Sequence, residues 1–382
     1  MTRTRLGAAF VATAAAVLLG TGGATAADTG TPAIGAPSFL LTSSLDGTTL
    51  AARSPDQRRP MASITKLMTV IVAREHLRPE EPVTVPAAAT LVGESSLDLH
   101  PGQHLFARDL YIGALVPSAN DAATALAIIS AHGSLPRFVG WMNRKAQALG
   151  LENTHFQNPH GLDTPGHFAS ARDLARLLGV ALEDPLVRRY TRMSSAVLSD
   201  GVRVESTDNL IHTVPGFQGG KTGHTFDAGW SQVAAVKRDG VTITAAVLGD
   251  PTEDQRDADL AALLRYGLAS FRLSRVVDPG RVYATVEVGW GLDPVAIVAR
   301  RPVVRPTPTR RALTERVVAP LVAKLPLRKG QQLGWVTVRD GSRTVAREPL
   351  VAARAVTDPT KVQKARYLAR RTLGHLLGWV SG

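Results

Sequence analysis

Three short motifs, widely separated along the chain, constrain this sequence more than any other feature, because they make chemical sense only if the fold brings them together. The first contains Ser63 and Lys66, the second contains Ser118 and Asn120, and the third is a Lys-Thr-Gly run that begins at Lys221. Each motif alone is common by chance. All three in this order predict one site built from helix ends and a strand.

Ser63 and Lys66 predict an activated nucleophile. Residues three apart on a helix lie on the same face, so the lysine amine can take the proton of the serine hydroxyl. That role requires a largely neutral Lys66, which burial and a second cation can produce, and Lys221 is the candidate cation. Ser63 also stands at the start of an apolar-periodic helix, where unpaired backbone N–H groups favour a developing oxyanion. Alone, the pair would more often be a capping serine beside a solvent-facing lysine.

The second motif predicts a proton path. Ser118 is expected to carry a proton to a leaving amine, and the amide of Asn120 to orient both Lys66 and a substrate carbonyl. Capping of the helix that begins near Asp121 is the commoner use of such a pair, so this interpretation depends on the other motifs.

The third motif predicts a seat for a substrate carboxylate on or entering a strand. The charge of Lys221 and the hydroxyl of Thr222 suit a terminal carboxylate. Gly223 lets a substrate backbone lie against the strand edge. The backbone N–H of His224 is expected to form an oxyanion hole with the N–H of Ser63.

The beginning of the chain predicts export. Residues 1–26 combine a positive start, an apolar stretch and a small-residue cleavage pattern, which is typical of a signal peptide. Residues 27–36 are rich in Gly, Pro and Ala and are predicted to be a tether. The chain has no cysteine, so an exported form would have no disulfide framework.

Hydrophobic patterning predicts an α+β domain over residues 37–275. Residues 39–42 and 50–52 flank an Asp-Gly turn, and residues 230–236 and 241–248 flank another, so both pairs predict hairpins. Helical spacing follows Ser63 as far as Pro79 and recurs in residues 110–116, 122–129, 138–149 and 171–182. Thr252 and Gln255 predict a capping box at the start of another helix. After a boundary near residues 278–280, residues 281–356 predict a small β-rich domain.

The end of the chain predicts a basic amphipathic helix over residues 361–380. From Arg300 onward there are 18 Lys or Arg residues and four acidic ones, against a net charge of +12 for the whole chain. An exported protein rarely meets nucleic acid, so this charge favours an anionic membrane surface as the partner. The uncharged stretch at the end is too short to span a bilayer, and a helix in the interface fits better. A helix packed on the β-rich domain remains the alternative.

The histidines do not predict a metal site. His155, His160 and His167 cluster in a loop-rich segment, but their spacing matches no common zinc motif and no cysteine is present. The sequence therefore predicts no cofactor.

The motifs and their surroundings resemble the serine D-alanyl-D-alanine carboxypeptidases, the low-molecular-mass penicillin-binding proteins. The similarity covers roughly residues 37–272 and, more loosely, the β-rich domain. The runs that carry it are Gly93-Glu-Ser-Ser-Leu, His100-Pro-Gly-Gln, Ser118-Ala-Asn-Asp-Ala, His160-Gly-Leu-Asp, Ala171-Arg-Asp-Leu-Ala and Lys221-Thr-Gly-His-Thr.

This resemblance implies a penicilloyl-serine transpeptidase/β-lactamase-like domain, with helices layered on an antiparallel sheet. It implies acyl-enzyme chemistry on peptidoglycan stem peptides ending in D-Ala-D-Ala, acylation by β-lactam antibiotics, and attachment to the outer face of the cytoplasmic membrane. By position, Ser63 becomes the nucleophile and Lys66 the base. Arg256 matches the family arginine that helps to hold the terminal carboxylate.

Three alternatives stay open at this stage. A DD-endopeptidase would differ only in the shape of its groove. A class A-like β-lactamase needs a water-activating glutamate in a Glu-x-x-Leu-Asn run, and the nearest pattern, which begins at Glu205, lacks the leucine. A non-catalytic envelope protein would bind peptidoglycan or membrane, but it would have no need for intact Ser63, Lys66 and Lys221.

Overall fold

The computed structural model describes Val17–Leu18 and residues 30–380, with side chains described for residues 30–372. The chain divides into two units. Ala27–Ser270 form the first, and Phe271–Gly382 belong to the second. The predicted leader, residues 1–26, lies outside the described residues except for Val17–Leu18, a two-residue strand (β1).

The first unit is built on one five-stranded antiparallel sheet. Its strands are β2 (Ser38–Ser43), β3 (Thr49–Arg53), β8 (Phe217–Thr225), β9 (Gly229–Arg238) and β10 (Val241–Asp250), in the spatial order β3-β2-β10-β9-β8. The two predicted hairpins, β2–β3 and β9–β10, are confirmed by their antiparallel registers. Strand β8, which contains the Lys-Thr-Gly run, is the edge strand next to β9.

Helices of the first unit surround this sheet. They are α1 (Lys66–Arg74), α2 (Ala107–Leu115), α3 (Asn120–Ser130), α4 (Leu135–Ala148), α5 (Ala171–Ala181), α6 (Pro185–Tyr190) and α7 (Glu253–Ala269). The predicted helical segments are confirmed, but α1 ends at Arg74, well before Pro79. Ser63 precedes α1 in a 3₁₀ turn, Ala62–Thr65. Two short ribbons complete the unit: β4 (Pro82–Thr84) with β5 (His104–Phe106), and β6 (Ser195–Val197) with β7 (Arg203–Glu205).

Helix α1 lies at the centre of the first hydrophobic core. Of its nine residues seven are buried, including Leu67, Met68 and Val72. The same core contains Leu126 of α3 and Leu178 of α5. Because both helices pack on α1, the turn that carries Ser63 is held from several sides.

Two local expectations need correction. The predicted capping box at Thr252 forms only in part, because Thr252 accepts the N–H of Gln255 while the Gln255 side chain donates to Asp259 instead. The last residues of the predicted tether, residues 27–36, pack against the rest of the first unit. Ala36 is buried and its N–H donates to the Asp259 carboxylate at 2.9 Å, as does the N–H of Gly35. A buried carboxylate needs such donors, and composition alone does not reveal them.

The second unit contains a sheet in the order β1-β15-β16-β17-β13-β12 and a separate ribbon of β11 and β14. Its strands are β11 (Phe271–Val277), β12 (Val282–Val286), β13 (Val295–Ala299), β14 (Val303–Pro308), β15 (Thr314–Val318), β16 (Gln332–Asp340) and β17 (Arg343–Ala352). A second core, including Val286, Ile297, Val336 and Leu350, lies within it. The unit therefore begins at Phe271, before the boundary expected near residues 278–280, because β11 pairs with β14.

The predicted terminal helix is present as α8 (Lys361–Val380). Among its residues with described side chains, all are exposed except Lys364 and Tyr367, which are half-buried. In the part of the chain that the structure describes, no helix combines the length and apolarity needed to cross a membrane.

Candidate active site

The turn that carries Ser63 is shaped by close backbone approaches. Ala62 has a φ of +48°, a left-handed conformation that is unusual for alanine. A Cβ on Gly161 would lie 2.0 Å from the Ala62 carbonyl oxygen, and a Cβ on Gly223 would lie 3.0 Å from the Ser63 nitrogen. Glycine is thus required at both positions for loop and strand to reach the turn.

Lys66 lies at the centre of the cluster and is fully buried. Its Nζ lies 2.7 Å from the Oγ of Ser63, 2.7 Å from the Oδ1 of Asn120 and 3.4 Å from the Oγ of Ser118. Residues from the first two motifs therefore converge on one amine, as the sequence predicts.

The third motif meets the same cluster through Lys221, which is also buried. Its Nζ donates to the Oγ of Ser118 at 2.8 Å and to the Thr222 carbonyl oxygen at 3.0 Å. Ser118 has a φ of +65°, and this left-handed backbone puts its hydroxyl within reach of both lysines. The fold thus supplies a continuous path from Ser63 through Lys66 and Ser118 to Lys221.

Burial controls the charge of both lysines. Desolvation, and then the nearby charge of Lys221, hold the pKa of Lys66 well below its usual value. Glu94 and Asp121 oppose this change. Desolvation also lowers the pKa of Lys221 to about 7, while Asp208 acts in the opposite direction. A neutral Lys66 amine can accept the proton of Ser63, because the free electron pair it needs is present.

Asn120 is held in place by the loop that precedes α2. Its Nδ2 donates to the Gly93 carbonyl oxygen at 2.9 Å, and its N–H donates to the Ser95 carbonyl oxygen at 2.7 Å. These contacts fix the amide so that its oxygen faces Lys66.

The outer part of β8 bears the rest of the predicted site. The Oγ1 atoms of Thr222 and Thr207 are 2.6 Å apart. His224 has an exposed side chain whose ring stacks on Trp230, with ring centroids 4.1 Å apart. Trp230 faces His224 across β8 and β9.

Arg256 is less available than the sequence implies. It is 1% exposed, and it already pairs with Asp257 at 2.6 Å and Glu253 at 3.0 Å. Its guanidinium carbon lies 5.4 Å from the Trp230 ring centroid. Direct contact of Arg256 with a substrate carboxylate stays a prediction, and its described contacts are with two carboxylates of its own helix and with the ring face of Trp230.

A buried carboxylate behind β8 was not predicted to belong to the site. Asp208 accepts from the Leu210 N–H and from the Nε2 of Gln232 through one oxygen, and its other oxygen has no hydrogen-bond partner among the described residues. Burial raises its pKa to about 6. A Cβ on Gly220 would lie 2.8 Å from that second oxygen, so the carboxylate lies directly against β8. In the sequence, Asp208 stands out only as part of the run that begins at Glu205, and that run was considered only as a possible β-lactamase motif.

The clustered histidines serve the loop that carries Gly161. The Nε2 of His167 is 2.8 Å from the Oγ1 of Thr65, and the Nδ1 of His160 accepts the Leu162 N–H at 3.2 Å. Burial lowers the pKa of His160 to about 3 and that of His167 to about 4, so both are neutral at pH 7. Within the described residues, no group of three potential ligands could hold a metal ion.

Known proteins match this chain over most of its length. The family model for D-alanyl-D-alanine carboxypeptidase matches residues 25–252. The D-alanyl-D-alanine carboxypeptidase DacA of Escherichia coli K12 is 32% identical over 346 residues, which cover 86% of this chain and 85% of that protein.

Solved structures agree with the sequence comparison. Penicillin-binding protein 5 of Haemophilus influenzae is 28% identical with a TM-score of 0.63, covering 86% of this chain and 99% of that chain. The Streptomyces K15 DD-transpeptidase is 29% identical with a TM-score of 0.59, covering 63% of this chain and 99% of that chain. These similarities confirm the α+β fold, and the chain belongs to the serine D-alanyl-D-alanine carboxypeptidase family of low-molecular-mass penicillin-binding proteins.

Proposed function

We propose that the protein removes the terminal D-alanine from peptidoglycan stem peptides through an acyl-enzyme on Ser63. The observation that carries this proposal is the 2.7 Å distance from the Lys66 Nζ to the Ser63 Oγ, combined with the lowered pKa of Lys66. A neutral amine at hydrogen-bond distance is what a serine nucleophile needs. Serine-type D-Ala-D-Ala carboxypeptidase activity is also the activity of the family.

In the first step, the Ser63 Oγ attacks the carbonyl carbon of the D-Ala–D-Ala bond and its proton passes to the Lys66 Nζ. The oxyanion that forms is stabilised by the backbone N–H groups of Ser63 and His224. The close approach of β8 to the Ser63 nitrogen supports this pairing, because it brings the two backbones together at Gly223.

In the second step, the peptide C–N bond breaks and the leaving amine takes a proton from Ser118. Ser118 regains its proton from Lys66, which lies 3.4 Å away, while Lys221 donates to the same hydroxyl at 2.8 Å. Free D-alanine leaves. Water then attacks the ester and Lys66 accepts its proton. The Ser63 Oγ–C bond breaks, Lys66 returns that proton to the Oγ at 2.7 Å, and the shortened peptide departs.

The terminal carboxylate of the substrate is proposed to lie against Lys221 and Thr222. Charge-assisted hydrogen bonds are stronger than neutral ones. Lys221 would supply the positive charge, and the Thr222 hydroxyl would donate a second hydrogen bond to the carboxylate. β-Lactams carry a similar carboxylate. The same attack opens their ring, so no fragment departs and the ester persists on Ser63.

The β-lactamase alternative is weakened by Glu205. Its carboxylate lies on an exposed strand and pairs with Arg203 at 2.8 Å, and both side chains are largely exposed. The described side-chain contacts of Glu205 are thus with Arg203, and none of them links this carboxylate to Ser63 or Lys66. An endopeptidase remains the second candidate, because the same residues would cleave a D-Ala amide within a cross-link.

The test compares Ser63→Ala with Ser44→Ala, an exposed serine away from any lysine motif. We expect Ser63→Ala to lose both covalent labelling by a fluorescent penicillin and release of D-alanine, while Ser44→Ala keeps both. Labelling that survives in Ser63→Ala would exclude this nucleophile. Labelling of the wild type without release of D-alanine from a pentapeptide would exclude the proposed reaction, and cleavage of a cross-linked peptide without that release would identify an endopeptidase.

We also propose that the protein is exported through residues 1–26 and attaches to an anionic membrane through α8. The exposure of its described apolar residues, such as Val362 and Leu368, supports an unpartnered helix. Removal of residues 361–382 should abolish most binding to anionic vesicles and leave catalysis on a soluble peptide intact. A truncated protein that binds vesicles as well as the full chain would identify α8 as a packed helix.

A further inference from the structure

Three apolar side chains of the second unit are exposed, and one of them, Trp290, contacts α8 near its start. Leu321 is 74% exposed, Val322 63% and Trp290 37%. We call these three residues the apical patch. Scattered exposed apolar residues are ordinary, so the patch has meaning only through what holds it and what lies beside it.

Backbone contacts hold the two loops of the patch together. The Glu287 N–H donates to the Leu321 carbonyl oxygen at 2.9 Å, and the Ala323 N–H donates to the Glu287 carbonyl oxygen at 2.8 Å. Trp290 has a φ of +57°, between two glycines that are also left-handed. A bulky residue in this region is strained, so the loop keeps Trp290 exposed at a conformational cost.

Helix α8 begins against this patch. The ring of Tyr367 meets that of Trp290 edge-on, with centroids 6.0 Å apart, and the Lys364 Nζ lies 5.2 Å from the Trp290 ring centroid. Trp290 is therefore continuous with the helix proposed to lie in the membrane interface.

The surroundings of the patch suit an anionic lipid surface. The exposed cations are Lys324 beside Leu321 and Val322, and Lys361 and Arg366 on α8. Glu287 and Asp293 are exposed acids in the same loops, and Asp358 pairs with Lys364 at 2.9 Å. Tryptophan and tyrosine favour the headgroup region, leucine and valine favour the adjoining acyl chains, and basic residues are attracted to anionic headgroups.

We infer that the apical patch enters the interface of an anionic bilayer beside α8, so that the β-rich unit is itself seated on the membrane. This inference rests on the proposed membrane attachment of α8 and goes beyond it. A helix alone would act as a flexible anchor, whereas a second contact on the folded unit would fix that unit's orientation at the lipid surface.

Because the chain has no cysteine, single cysteines can be labelled uniquely. An environment-sensitive fluorophore would be attached at Leu321→Cys in the full chain and, as the control, at Leu273→Cys. Leu273 is 51% exposed on β11, in the separate ribbon. With vesicles of phosphatidylglycerol and phosphatidylcholine, we expect the emission at position 321 to rise severalfold and to be quenched by spin-labelled lipid, and the emission at position 273 to stay unchanged.

A label at position 321 that remains in water while the protein cosediments with vesicles would overturn the inference and leave attachment through α8 intact. Failure of the full chain to bind vesicles would overturn both. D-Alanine release is measured separately and reports on the proposed reaction alone.

A second measurement removes the apolar side chains instead of labelling them. We expect Leu321→Ser with Val322→Ser to weaken vesicle partitioning of the full chain by about tenfold, because part of each side chain's burial in lipid is lost. Leu273→Ser should have no effect. Unchanged partitioning of the double variant would overturn the inference and favour a protein partner for the patch.

Discussion

Lys66 is the residue whose chemistry depends most on its surroundings. An exposed lysine would be protonated at pH 7, but burial and Lys221 together favour the neutral amine. Arginine would keep a positive charge at this position and could not act as a base. We therefore expect Lys66→Arg to slow acylation by penicillin about 100-fold or more, as for other losses of a general base.

The measurement is the rate of covalent labelling by a fluorescent penicillin, with Lys237→Arg on the exposed end of β9 as the control. Near-normal acylation in Lys66→Arg would mean that another group accepts the proton of Ser63.

Thr222 allows a test of the carboxylate seat. Thr222→Val keeps the shape of the side chain but removes the hydroxyl, and a lost hydrogen bond to a charged group costs about 1.5–3 kcal/mol, or roughly 10- to 150-fold. We expect that loss in kcat/KM for peptides with a free D-Ala carboxylate. Peptides amidated at that end should be poor substrates for the wild type and little affected by the substitution. An equal loss on both would place the seat elsewhere.

Asp208 links the pH dependence of the site to a buried charge. Burial lowers the pKa of Lys221 to about 7, and the Asp208 carboxylate, when ionised, partly opposes this decrease. In Asp208→Asn that support is lost, so Lys221 should lose its charge at a lower pH. We expect the alkaline limb of the kcat/KM profile for carboxylate-bearing peptides to move to lower pH. An unchanged limb would show that Asp208 does not act through Lys221.

The stability of the same variant gives an independent readout. The folded-state pKa of Asp208, about 6, exceeds its ordinary value of 3.8, so folding favours the protonated form. Ionisation of the buried carboxyl group therefore lowers the free energy of unfolding progressively as pH rises from about 4 to about 6. Asp208→Asn should gain in Tm relative to the wild type over this interval and hold the gain above it.

These residues also mark the limit of prediction at this scale. Ser63 and Lys66 could be paired from sequence because a helix fixes neighbours three apart. The role of Asp208 could not be predicted, since it lies in a loop, its partner Gln232 lies on β9, and its proximity to Lys221 depends on how that loop packs against β8. The pairing of Arg256 with Asp257 and Glu253 could not be predicted either, because both acids look like ordinary surface charges on a helix.

At the scale of elements, strand β8 and the turn that carries Ser63 depend on each other. The hairpins and helices could be predicted because each has a local hydrophobic period, but the approach of β8 to the turn is a long-range contact. Gly223 is where it occurs. A Cβ there would lie 3.0 Å from the Ser63 nitrogen and 3.1 Å from the Met61 carbonyl oxygen.

We therefore expect Gly223→Ala to displace β8 from Ser63 and to reduce the acylation rate about 100-fold, since small displacements of reacting groups have effects of that size. Gly179→Ala is the matched control, because Gly179 lies in the last turn of α5 and a Cβ there has no neighbouring atom within 4 Å outside the local helix backbone. Acylation of Gly223→Ala at the wild-type rate would contradict this prediction, because it would show that the reaction does not need the close approach of β8 to the turn that carries Ser63.

At the scale of the whole molecule, the chain joins two units with separate cores. All the residues of the three motifs, the five-stranded sheet and α7 lie between Ala27 and Ser270. The Streptomyces K15 DD-transpeptidase is matched over 99% of its length by only 63% of this chain, so a relative exists that is little longer than the first unit. The sequence prediction put the boundary near residues 278–280, at a Pro-Gly pair, whereas the second unit begins at Phe271, directly after α7, where no such pair marks the junction.

We expect the fragment Ala27–Ser270 to fold alone and to release D-alanine from a soluble peptide within about threefold of the full chain, since a domain with its own core can fold independently. Covalent labelling of Ser63 by penicillin should persist, whereas binding to anionic vesicles should be lost with α8 and the apical patch. Thermal unfolding and D-alanine release, measured on the fragment and on the full chain, provide the comparison. A fragment that unfolds cooperatively but has lost activity would show that the β-rich unit completes the site, which the described contacts around Lys66 and Lys221 do not require.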